Sequence, residues 1–371
     1  MYAAGVVECL QKKLPHATFY GCSGPRLQDL GVSPIIDAAN LSVVGLAEVV
    51  AHLPRIYGEY RKLVSYARQH PPAFALLTDN PDFHLRLARR LKKMQVPVFY
   101  LVAPQVWAWR QGRVKIIRKL VDKLFCLFPF EEPWFRQHGV NATYIGHPLV
   151  AIVRISESKD DFFKRHGLPS DKKMVVLLPG SRAGEASRHM PIVLDAVALL
   201  QKNLDISVVL ATPKGFQQRG IFEKFRERIQ MLSIKVIENE TWNSIGHADV
   251  ALAASGTVTM EAAILETPMV TFYKVTALSW FAGRWLVKVP FLSMVNLIAN
   301  RRIVPEFIQS EMTAENIANS AALLVKDAAE AGKMRSELRQ VRLSLTRDGN
   351  PFDLAAQTIL DFVRNGQEKI E

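Results

Sequence analysis

The sequence predicts an α/β protein of two Rossmann-like domains, and two observations support this prediction. Short runs rich in β-branched and aromatic residues alternate with helical patterns, which is typical of parallel sheets covered by helices. The alternation then restarts in the second half of the chain. A length of 371 residues, 49% of them hydrophobic, is enough for two cores. In such sheets ligands bind beyond the carboxyl ends of the strands, so we expect the chemistry on loops that face a cleft between the domains.

Each half contains five predicted strands separated by helical patterns. In the first half the predicted strands are Ala17–Cys22, Phe74–Thr78, Val98–Val102, Lys123–Leu127 and Thr143–Ile145. The helices there are Met1–Lys13, Leu46–Arg68, Phe83–Met94, Gly112–Val121 and Glu131–His138. In the second half the strands are Met174–Leu178, Ser207–Ala211, Ile234–Ile237, Val250–Ala253 and Met269–Phe272, and the clearest helices are Glu185–Gln201 and Thr257–Leu265.

The domain boundary is predicted after Gly146-His147-Pro148, which ends a strand before the charged stretch Ser156–Arg165. We therefore expect a first Rossmann-like domain over residues 1–150 and a second over residues 151–345. A final helical segment covers residues 346–371.

The bulk composition narrows the class of partner without choosing one. Lys and Arg number 47 against 35 Asp and Glu, a net charge of +12, which favours nucleic acid, phosphorylated small molecules or acidic lipid. The basic residues are spread along both halves, which argues against a nucleic-acid-binding protein. The three cysteines lie far apart and fit a reducing compartment better than a zinc site or disulfides. We see neither a signal peptide nor an apolar run that could span a bilayer.

The strongest site signal is the run Leu-Pro-Gly-Ser-Arg that ends a predicted strand before a helix. Gly180 lets the backbone approach a ligand, and N–H groups from Ser181 onward can hold phosphate at the helix start. Arg182 could bind a diphosphate and offset the charge of a departing nucleotide. The alternative is a plain turn with a surface arginine.

A second turn of the same kind is Ser255-Gly256-Thr257, which again follows a strand and precedes a helix. Glu261 lies about one helical turn further on, where a carboxylate can accept hydrogen bonds from ribose hydroxyls. The alternative is helix capping by Ser255 or Thr257. Two such loops in one half favour a nucleotide diphosphate as the ligand.

The first half carries candidate functional residues at three further places. Asp79 and Asp82 lie at a strand-to-helix turn, where one could be a general base, although Asp82 could instead cap the helix at its N-terminus. Trp109 and Arg110 lie on a loop after the next strand and suit a sugar or acyl chain and a phosphate; the alternative is that both tryptophans of this loop belong to the core. His147 could contact substrate or bond to the backbone.

Two stretches interleave apolar and basic residues in the manner of interfacial helices. Buried helix faces with snorkelling Lys and Arg would look similar. The apolar members are Leu41, Val43, Val44, Leu46, Val49, Val50 and Leu53 in the first stretch, and Trp280, Phe281, Trp285, Val287 and Phe291 in the second.

These motifs together resemble the bacterial lipid-A-disaccharide synthases, which are GT-B glycosyltransferases. The match runs from near Met1 to the final helices. Its pieces are Gly21 to Arg26, Val44-Gly45-Leu46, Glu48-Val49, Asp79 to Phe83, Trp107-Ala108-Trp109-Arg110, Phe128 to Glu131, Ile145-Gly146-His147, Leu178 to Arg182, Ser255 to Glu261 and Val295 to Ala299.

The resemblance implies an inverting transfer from UDP-2,3-diacylglucosamine to 2,3-diacylglucosamine 1-phosphate, with no metal and no cofactor. It implies that Asp79 is the base and Arg182 the diphosphate partner. Ser255, Gly256, Thr257, Glu261 and Asn296 would hold UDP. It also implies that residues 1–150 form the acceptor domain and residues 151–345 the UDP-sugar domain. The final segment, residues 346–371, would cross back to the first domain or be exchanged in a homodimer. The protein is expected to be cytoplasmic and peripheral on the inner face of the bacterial inner membrane.

The chain departs from the resemblance at its front. The family opens with a strand and a Gly-Glu-x-Ser-Gly-Asp loop, whereas this sequence opens directly with the helix at Met1. We therefore expect a coding region for that strand and loop directly upstream. The competing interpretations are another GT-B enzyme of UDP-GlcNAc, such as a peptidoglycan transferase or a 2-epimerase, and an inactive fragment that binds UDP.

Overall fold

The computed structural model describes residues 2–38, 46–218, 220–276, 280–281 and 289–367. The chain divides into two compact units. The first comprises Met1–Pro148 together with Arg347–Glu371, and the second comprises Leu149–Thr346.

The described strands of the first unit form two parallel sheets. The strands are β1 (Tyr20–Ser23), β2 (Ser33–Asp37), β3 (Ala75–Thr78), β4 (Val98–Leu101), β5 (Lys123–Cys126) and β6 (Ala142–Tyr144). Strands β1 and β2 pair with each other, and the other four follow in the order β3-β4-β5-β6. The helices are α1 (Tyr2–Lys13), α2 (Pro25–Gln28), α3 (Leu46–Gln69), α4 (Pro81–Lys93), α5 (Val114–Leu120) and α6 (Glu131–Gln137).

The second unit is built on a six-stranded parallel sheet with the order β12-β11-β10-β7-β8-β9. Its strands are β7 (Lys173–Leu178), β8 (Ile206–Thr212), β9 (Lys235–Glu238), β10 (Val250–Ala254), β11 (Met269–Tyr273) and β12 (Glu306–Ile308). Its helices are α7 (Leu149–Ile152), α8 (Lys159–His166), α9 (Ala183–Gln201), α10 (Gly220–Glu223), α11 (Arg226–Met231), α12 (Thr241–Gly246), α13 (Thr257–Ile264), α14 (Met294–Ala299), α15 (Ala314–Lys326) and α16 (Ala328–Leu345).

The central strands are mostly apolar, as expected where both faces of a sheet are covered. Every residue of β4, β8 and β10 is buried. A strand with two covered faces needs a nearly continuous apolar run rather than an alternating one, and in β8 only Ser207 and Thr212 interrupt that run.

The C-terminal helix α17 (Pro351–Gln367) packs within the first unit. Its buried Ala356 and Ile359 share one core with Val6 and Leu10 of α1 and with Phe99 of β4. Close approach explains the glycine at position 5, because a Cβ there would lie 2.6 Å from the ring of Phe352. Exchange of this helix between two chains stays a prediction.

The structure corrects the expected strands in two respects. Strands β2 and β12 were not predicted, because β2 opens with Ser33-Pro34 and the three residues of β12 begin with a glutamate directly after Pro305. One sheet was expected in the first unit, but β1 pairs with β2 and not with β3 among the described residues. A sequence pattern shows which segments are extended but not which edges pair.

Part of the predicted interfacial stretches lies outside the described residues, namely Leu41, Val43, Val44, Trp285 and Val287. The side chains of Leu46, Val49 and Val50 are not described either. Within the described residues, no helix has both the length and the apolar character needed to cross a bilayer.

Candidate active site

In the second unit, the turn between β7 and α9 has the geometry of a phosphate-binding loop. Gly180 adopts a φ of +114°, and a Cβ there would lie 3.1 Å from Cβ of Glu185, so only glycine fits without strain. Arg182 is the N-cap of α9, and its exposed guanidinium donates from Nη1 to Oε1 of Glu185 at 3.2 Å. Ser181 is also exposed. The turn therefore presents a helix N-terminus and a cation to solvent, an arrangement that suits phosphate.

A buried histidine that sequence reasoning missed holds this turn in place. Nδ1 of His189 lies 2.8 Å from the carbonyl oxygen of Pro179, and the backbone N–H of Lys274 donates to Nε2 at 3.0 Å. Because Nε2 accepts, Nδ1 carries the proton and donates to Pro179. Burial lowers the pKa of His189 and favours this neutral form. The sequence contained one indication of this role, namely that His189 lies on the apolar face of the predicted helix α9.

The turn between β10 and α13 is open, and no described side chain caps the helix. Gly256 is the N-cap, and Thr257 is the first helical residue. Oγ of Ser255 lies 3.5 Å from the carbonyl oxygen of Leu292. The alternative of capping by Ser255 or Thr257 is therefore wrong, and the turn keeps its first N–H groups available.

Glu261 lies on α13, one turn beyond this loop. Burial raises the pKa of Glu261 to about 7, although a hydrogen bond from Trp242 acts in the opposite direction. Its carboxyl group therefore changes charge close to neutral pH.

Asn296 makes structural hydrogen bonds inside the second unit. Its Oδ1 accepts from the backbone N–H groups of Ile303 and Val304 at 2.8 and 3.0 Å, and its Nδ2 donates to the carbonyl oxygen of Val304 at 3.1 Å. Buried amides normally use their polar atoms in this way. These bonds fix the turn after α14, and a direct contact of Asn296 with UDP stays a prediction.

In the first unit, Asp79 follows β3 with its backbone in the left-handed region at a φ of 57°. Its carbonyl oxygen accepts from the hydroxyl of Tyr100 at 2.5 Å and from Nδ1 of His84 at 2.8 Å. The side chain of Asp79 is exposed, and its carboxylate has no hydrogen-bond or ion-pair partner in the described part of the chain. Left-handed conformations of non-glycine residues often occur at functional sites.

The neighbouring Asp82 does not cap α4, which corrects the alternative considered for it. The N-cap is Asn80 and the helix begins at Pro81, a residue suited to the first helical position. The carboxylate of Asp82 forms an ion pair with Arg113 and lies 3.8 Å from Nη1 of Arg110. Because Asp82 is paired with arginine, Asp79 is the better candidate for a base.

The two tryptophans of the next loop have different environments. Trp107 is buried and donates from Nε1 to Oε1 of Glu131 at 3.1 Å. Trp109 is 37% exposed, and Cζ of Arg110 lies 4.6 Å from the centroid of its ring. The alternative of two core tryptophans is thus correct for Trp107 and wrong for Trp109.

Glu131 is a second positioning group that sequence reasoning missed. It is 1% exposed, and its Oε2 accepts from the backbone N–H groups of Leu127 and Phe128 at 3.1 Å each. Burial raises the pKa of Glu131 to about 7, and the hydrogen bonds from Phe128, Trp107 and Leu127 oppose that rise. The carboxyl group thus ties the Trp107 loop to the carboxyl end of β5.

His147 is buried among aromatic rings in the first unit. Its ring centroid lies 5.3 Å from that of Phe128 and 6.1 Å from that of Tyr2. Burial lowers the pKa of His147 to about 4. A substrate contact of His147 stays a prediction.

No group of three or more His, Cys, Asp or Glu side chains that could hold a metal ion occurs in the part of the chain that the structure describes. The cation of Arg182 and the starts of α9 and α13, which no side chain caps, could serve a diphosphate.

Comparison with solved structures shows a common fold. A glycosyltransferase from Rickettsia africae superposes with a TM-score of 0.58 at 11% identity, and the match covers 97% of this chain and 93% of that chain. The UDP-GlcNAc 2-epimerase from Neisseria meningitidis, solved with bound UDP-GlcNAc, superposes with a TM-score of 0.56 at 13% identity, and the match covers 98% of this chain and 95% of that chain. These proteins share the GT-B fold.

Sequence comparison identifies the family. The lipid-A-disaccharide synthetase family model matches residues 1–356. A lipid-A-disaccharide synthase of Solibacter usitatus is 53% identical over 364 residues, which is 97% of this chain and 94% of that protein. Another, from Myxococcus xanthus, is 37% identical over 367 residues, 99% of this chain and 95% of that protein. The chain therefore belongs to the lipid-A-disaccharide synthase family.

Proposed function

We propose that this chain joins UDP-2,3-diacylglucosamine to 2,3-diacylglucosamine 1-phosphate, forming the β-1,6-linked lipid A disaccharide 1-phosphate and UDP. The observation that carries this proposal is the family match over residues 1–356. The geometry of the two sheet edges supports the roles of individual residues.

Asp79 is proposed as the general base. The acceptor O6 attacks C1 of the donor sugar while its proton passes to the carboxylate of Asp79. The bond between C1 and the diphosphate oxygen breaks, the electron pair leaves with UDP, and the anomeric centre inverts. The left-handed backbone and its two hydrogen bonds from Tyr100 and His84 fix Asp79, and its carboxylate, which has no partner among the described residues, is available for the proton.

The loops of the second unit are proposed to bind UDP. Arg182, with the N–H groups after Gly180 and Gly256, would offset the charge that develops on the diphosphate. Glu261 would accept hydrogen bonds from ribose. Arg182 is already paired with Glu185 at 3.2 Å, so diphosphate would take over this guanidinium from a carboxylate.

We also propose that the protein is cytoplasmic and lies on the inner face of the inner membrane as a homodimer with C-terminal exchange. The support for membrane contact is apolar exposure next to basic residues. Leu53 and Tyr57 of α3 are 48% and 60% exposed, and Phe281 is 63% exposed. Arg61 is exposed on the same helix as Leu53 and Tyr57. The exposed face of α3 in the first unit and, separately, the exposed ring of Phe281 in the second unit would each suit an anionic bilayer that also presents the acyl chains of the substrates.

Release of UDP in mixed micelles, with both diacyl sugars and with each omitted, tests the reaction. We expect release only with both, and a fall in kcat of at least about 100-fold in Asp79→Asn, the lower range for loss of a general base. Asp82→Asn is the matched control and should retain more activity. Turnover of the donor without acceptor would instead indicate an epimerase-like enzyme, and UDP binding without turnover would indicate an inactive binding protein.

A further inference from the structure

The exposed end of the Trp107 loop carries two arginines around one indole ring. Cζ of Arg110 lies 4.6 Å from the ring centroid of Trp109, and Cζ of Arg113 lies 5.9 Å from it. Asp82 forms an ion pair with Arg113 and lies 3.8 Å from Arg110. We call Asp82, Trp109, Arg110 and Arg113 the indole–arginine cluster.

The cluster has an unsatisfied positive charge. Two guanidinium groups face one carboxylate, which leaves a net charge of +1. Nη1 of Arg110 is too far from Asp82 for a hydrogen bond, and the guanidinium of Arg110 makes no hydrogen bond among the described residues. Its side chain is 47% exposed, so its donors can reach a ligand.

The loop beneath the cluster is rigidly held. Arg110 adopts the left-handed conformation at a φ of 55° and begins the 3-10 turn Gln111–Arg113. Nε2 of Gln111 donates to the carbonyl oxygen of Trp107 at 3.1 Å, and Trp107 is itself bonded to the buried Glu131. Both arginines are therefore presented from a fixed backbone, which limits the entropy lost when a ligand binds.

The cluster lies at the same sheet edge as the proposed base. Strands β3 and β4 are neighbours in parallel register, Asp79 directly follows β3, and the Trp107 loop follows β4. The hydroxyl of Tyr100, near the end of β4, donates to the backbone carbonyl oxygen of Asp79 at 2.5 Å. The proposed base and the cluster therefore lie at the same edge of the sheet, beyond the carboxyl ends of β3 and β4.

We propose that the indole–arginine cluster binds the 1-phosphate of the acceptor sugar, while Trp109 contacts the sugar or its acyl chain. This inference rests on the proposed function. Arginine forms bidentate, charge-assisted hydrogen bonds to phosphate, and a phosphomonoester dianion matches the excess charge of the cluster better than a neutral sugar does. Holding the acceptor by its phosphate positions the hydroxyl at the other end of the sugar for Asp79.

The first test measures binding and needs no turnover. The full chain is titrated with micelles of 2,3-diacylglucosamine 1-phosphate and of the same lipid without its phosphate, and tryptophan fluorescence is followed. We expect a saturable change with the phosphorylated lipid that is absent in Trp109→Phe. Arg110→Gln and Arg113→Gln should weaken binding about tenfold, the equivalent of 1.4 kcal/mol. Arg90→Gln, which changes an exposed arginine of α4, is the matched control.

The second test compares kcat/KM for the two acceptors. We expect a preference for the phosphorylated acceptor in the unmodified chain, and a preference at least about tenfold smaller in Arg110→Gln. Arg182→Gln should lower kcat/KM for both acceptors by the same factor. Equal losses for both acceptors in Arg110→Gln, or equal binding of both lipids by the unmodified chain, would overturn the proposal. Phosphate-dependent binding without disaccharide formation would overturn the proposed function alone.

Discussion

Nδ1 of His189 donates to the carbonyl oxygen of Pro179 at 2.8 Å, which joins the middle of α9 to the turn at its own N-terminus. The opposite nitrogen accepts from the backbone of Lys274 at 3.0 Å, just beyond β11. One buried imidazole therefore sets the position of the Arg182 turn relative to the neighbouring loop.

We expect His189→Leu to lower the free energy of unfolding by about 2–4 kcal/mol, because a buried carbonyl and a buried N–H each lose a partner. The KM for the UDP-sugar should rise, since the turn loses its anchor. Urea unfolding and initial rates check both effects. Met190→Leu changes the adjacent buried residue at similar volume and should cost less than about 1.5 kcal/mol. Unchanged stability in His189→Leu would contradict the anchoring role.

The pH dependence of this contact has a defined direction. Burial lowers the pKa of His189 below 6.5, so below that pH the unfolded chain binds more protons than the folded one. The contribution of His189 to stability is present above pH 6.5 and is lost as the pH falls. The stability difference between the unmodified chain and His189→Leu should therefore shrink on acidification, as measured by urea unfolding at pH 8 and pH 5.

Glu131→Gln should destabilise the first unit by about 1–3 kcal/mol. The carboxylate of Glu131 accepts through both oxygens, whereas the glutamine side chain has one accepting oxygen and one NH₂ group. That NH₂ group would face either the indole N–H of Trp107 or the backbone N–H groups of Leu127 and Phe128, and none of these donors could bond to it. Adding Trp107→Phe removes one donor and should restore part of the loss. The double-mutant cycle, measured by urea unfolding, gives the coupling between the two side chains. A coupling energy of zero would show that the hydrogen bond from Trp107 to Glu131, at 3.1 Å, contributes nothing to stability.

Glu261 gives a second pH prediction, of opposite sign for stability. Its pKa is 4.5 in the ordinary state and about 7 when folded, so between these values the folded chain binds more protons. Its contribution to stability is full below pH 4.5 and is lost as the pH rises through 7. Relative to the unmodified chain, Glu261→Gln should thus gain stability from pH 5 to pH 8. Urea unfolding at both values checks this, and a constant difference would contradict it.

The same ionisation should tune donor binding. The ionised carboxylate is the form that accepts hydrogen bonds from ribose, so the KM for the UDP-sugar should fall as the pH rises through about 7. Glu261→Gln should flatten this dependence in initial-rate measurements.

Gly180→Ala should lower kcat/KM about tenfold or more, because a Cβ would lie 3.1 Å from Glu185 and the φ of +114° would be strained. Gly184→Ala is the matched control, since its Cβ would meet nothing nearer than 3.5 Å. Initial rates with both substrates distinguish the two variants. Equal effects would contradict the special role of position 180.

The sequence predicted much of the fold because its strands are continuous apolar runs bounded by Gly, Pro or charge. The predicted Val250–Ala253 and the observed Val250–Ala254 differ by one residue. The loops carrying Gly180, Gly256 and Asp79 were located for the same reason, since each follows such a strand. Strand β2 lacked that signal, because Pro34 removes an N–H donor and Ser33 and Asp37 are polar.

The part of the candidate site that sequence could not reveal depends on contacts between distant residues. Arg113 pairs with Asp82 across 31 positions, and His189 bonds to Lys274 across 85. Nothing in the local pattern around Glu131 shows that it accepts from Trp107, 24 positions earlier. Such contacts follow from the packing of loops on the sheet, which only the three-dimensional structure provides.

The packing of Phe352 against Gly5 has a consequence for biosynthesis. The core shared by α1, β4 and α17 draws on segments that lie before and after the whole second unit in the sequence. The whole second unit is translated between them, so it can fold while the first unit still lacks its covering helix. Until then the apolar faces of Phe99 and Leu10 stay open to chaperones or to the same helix of another nascent chain.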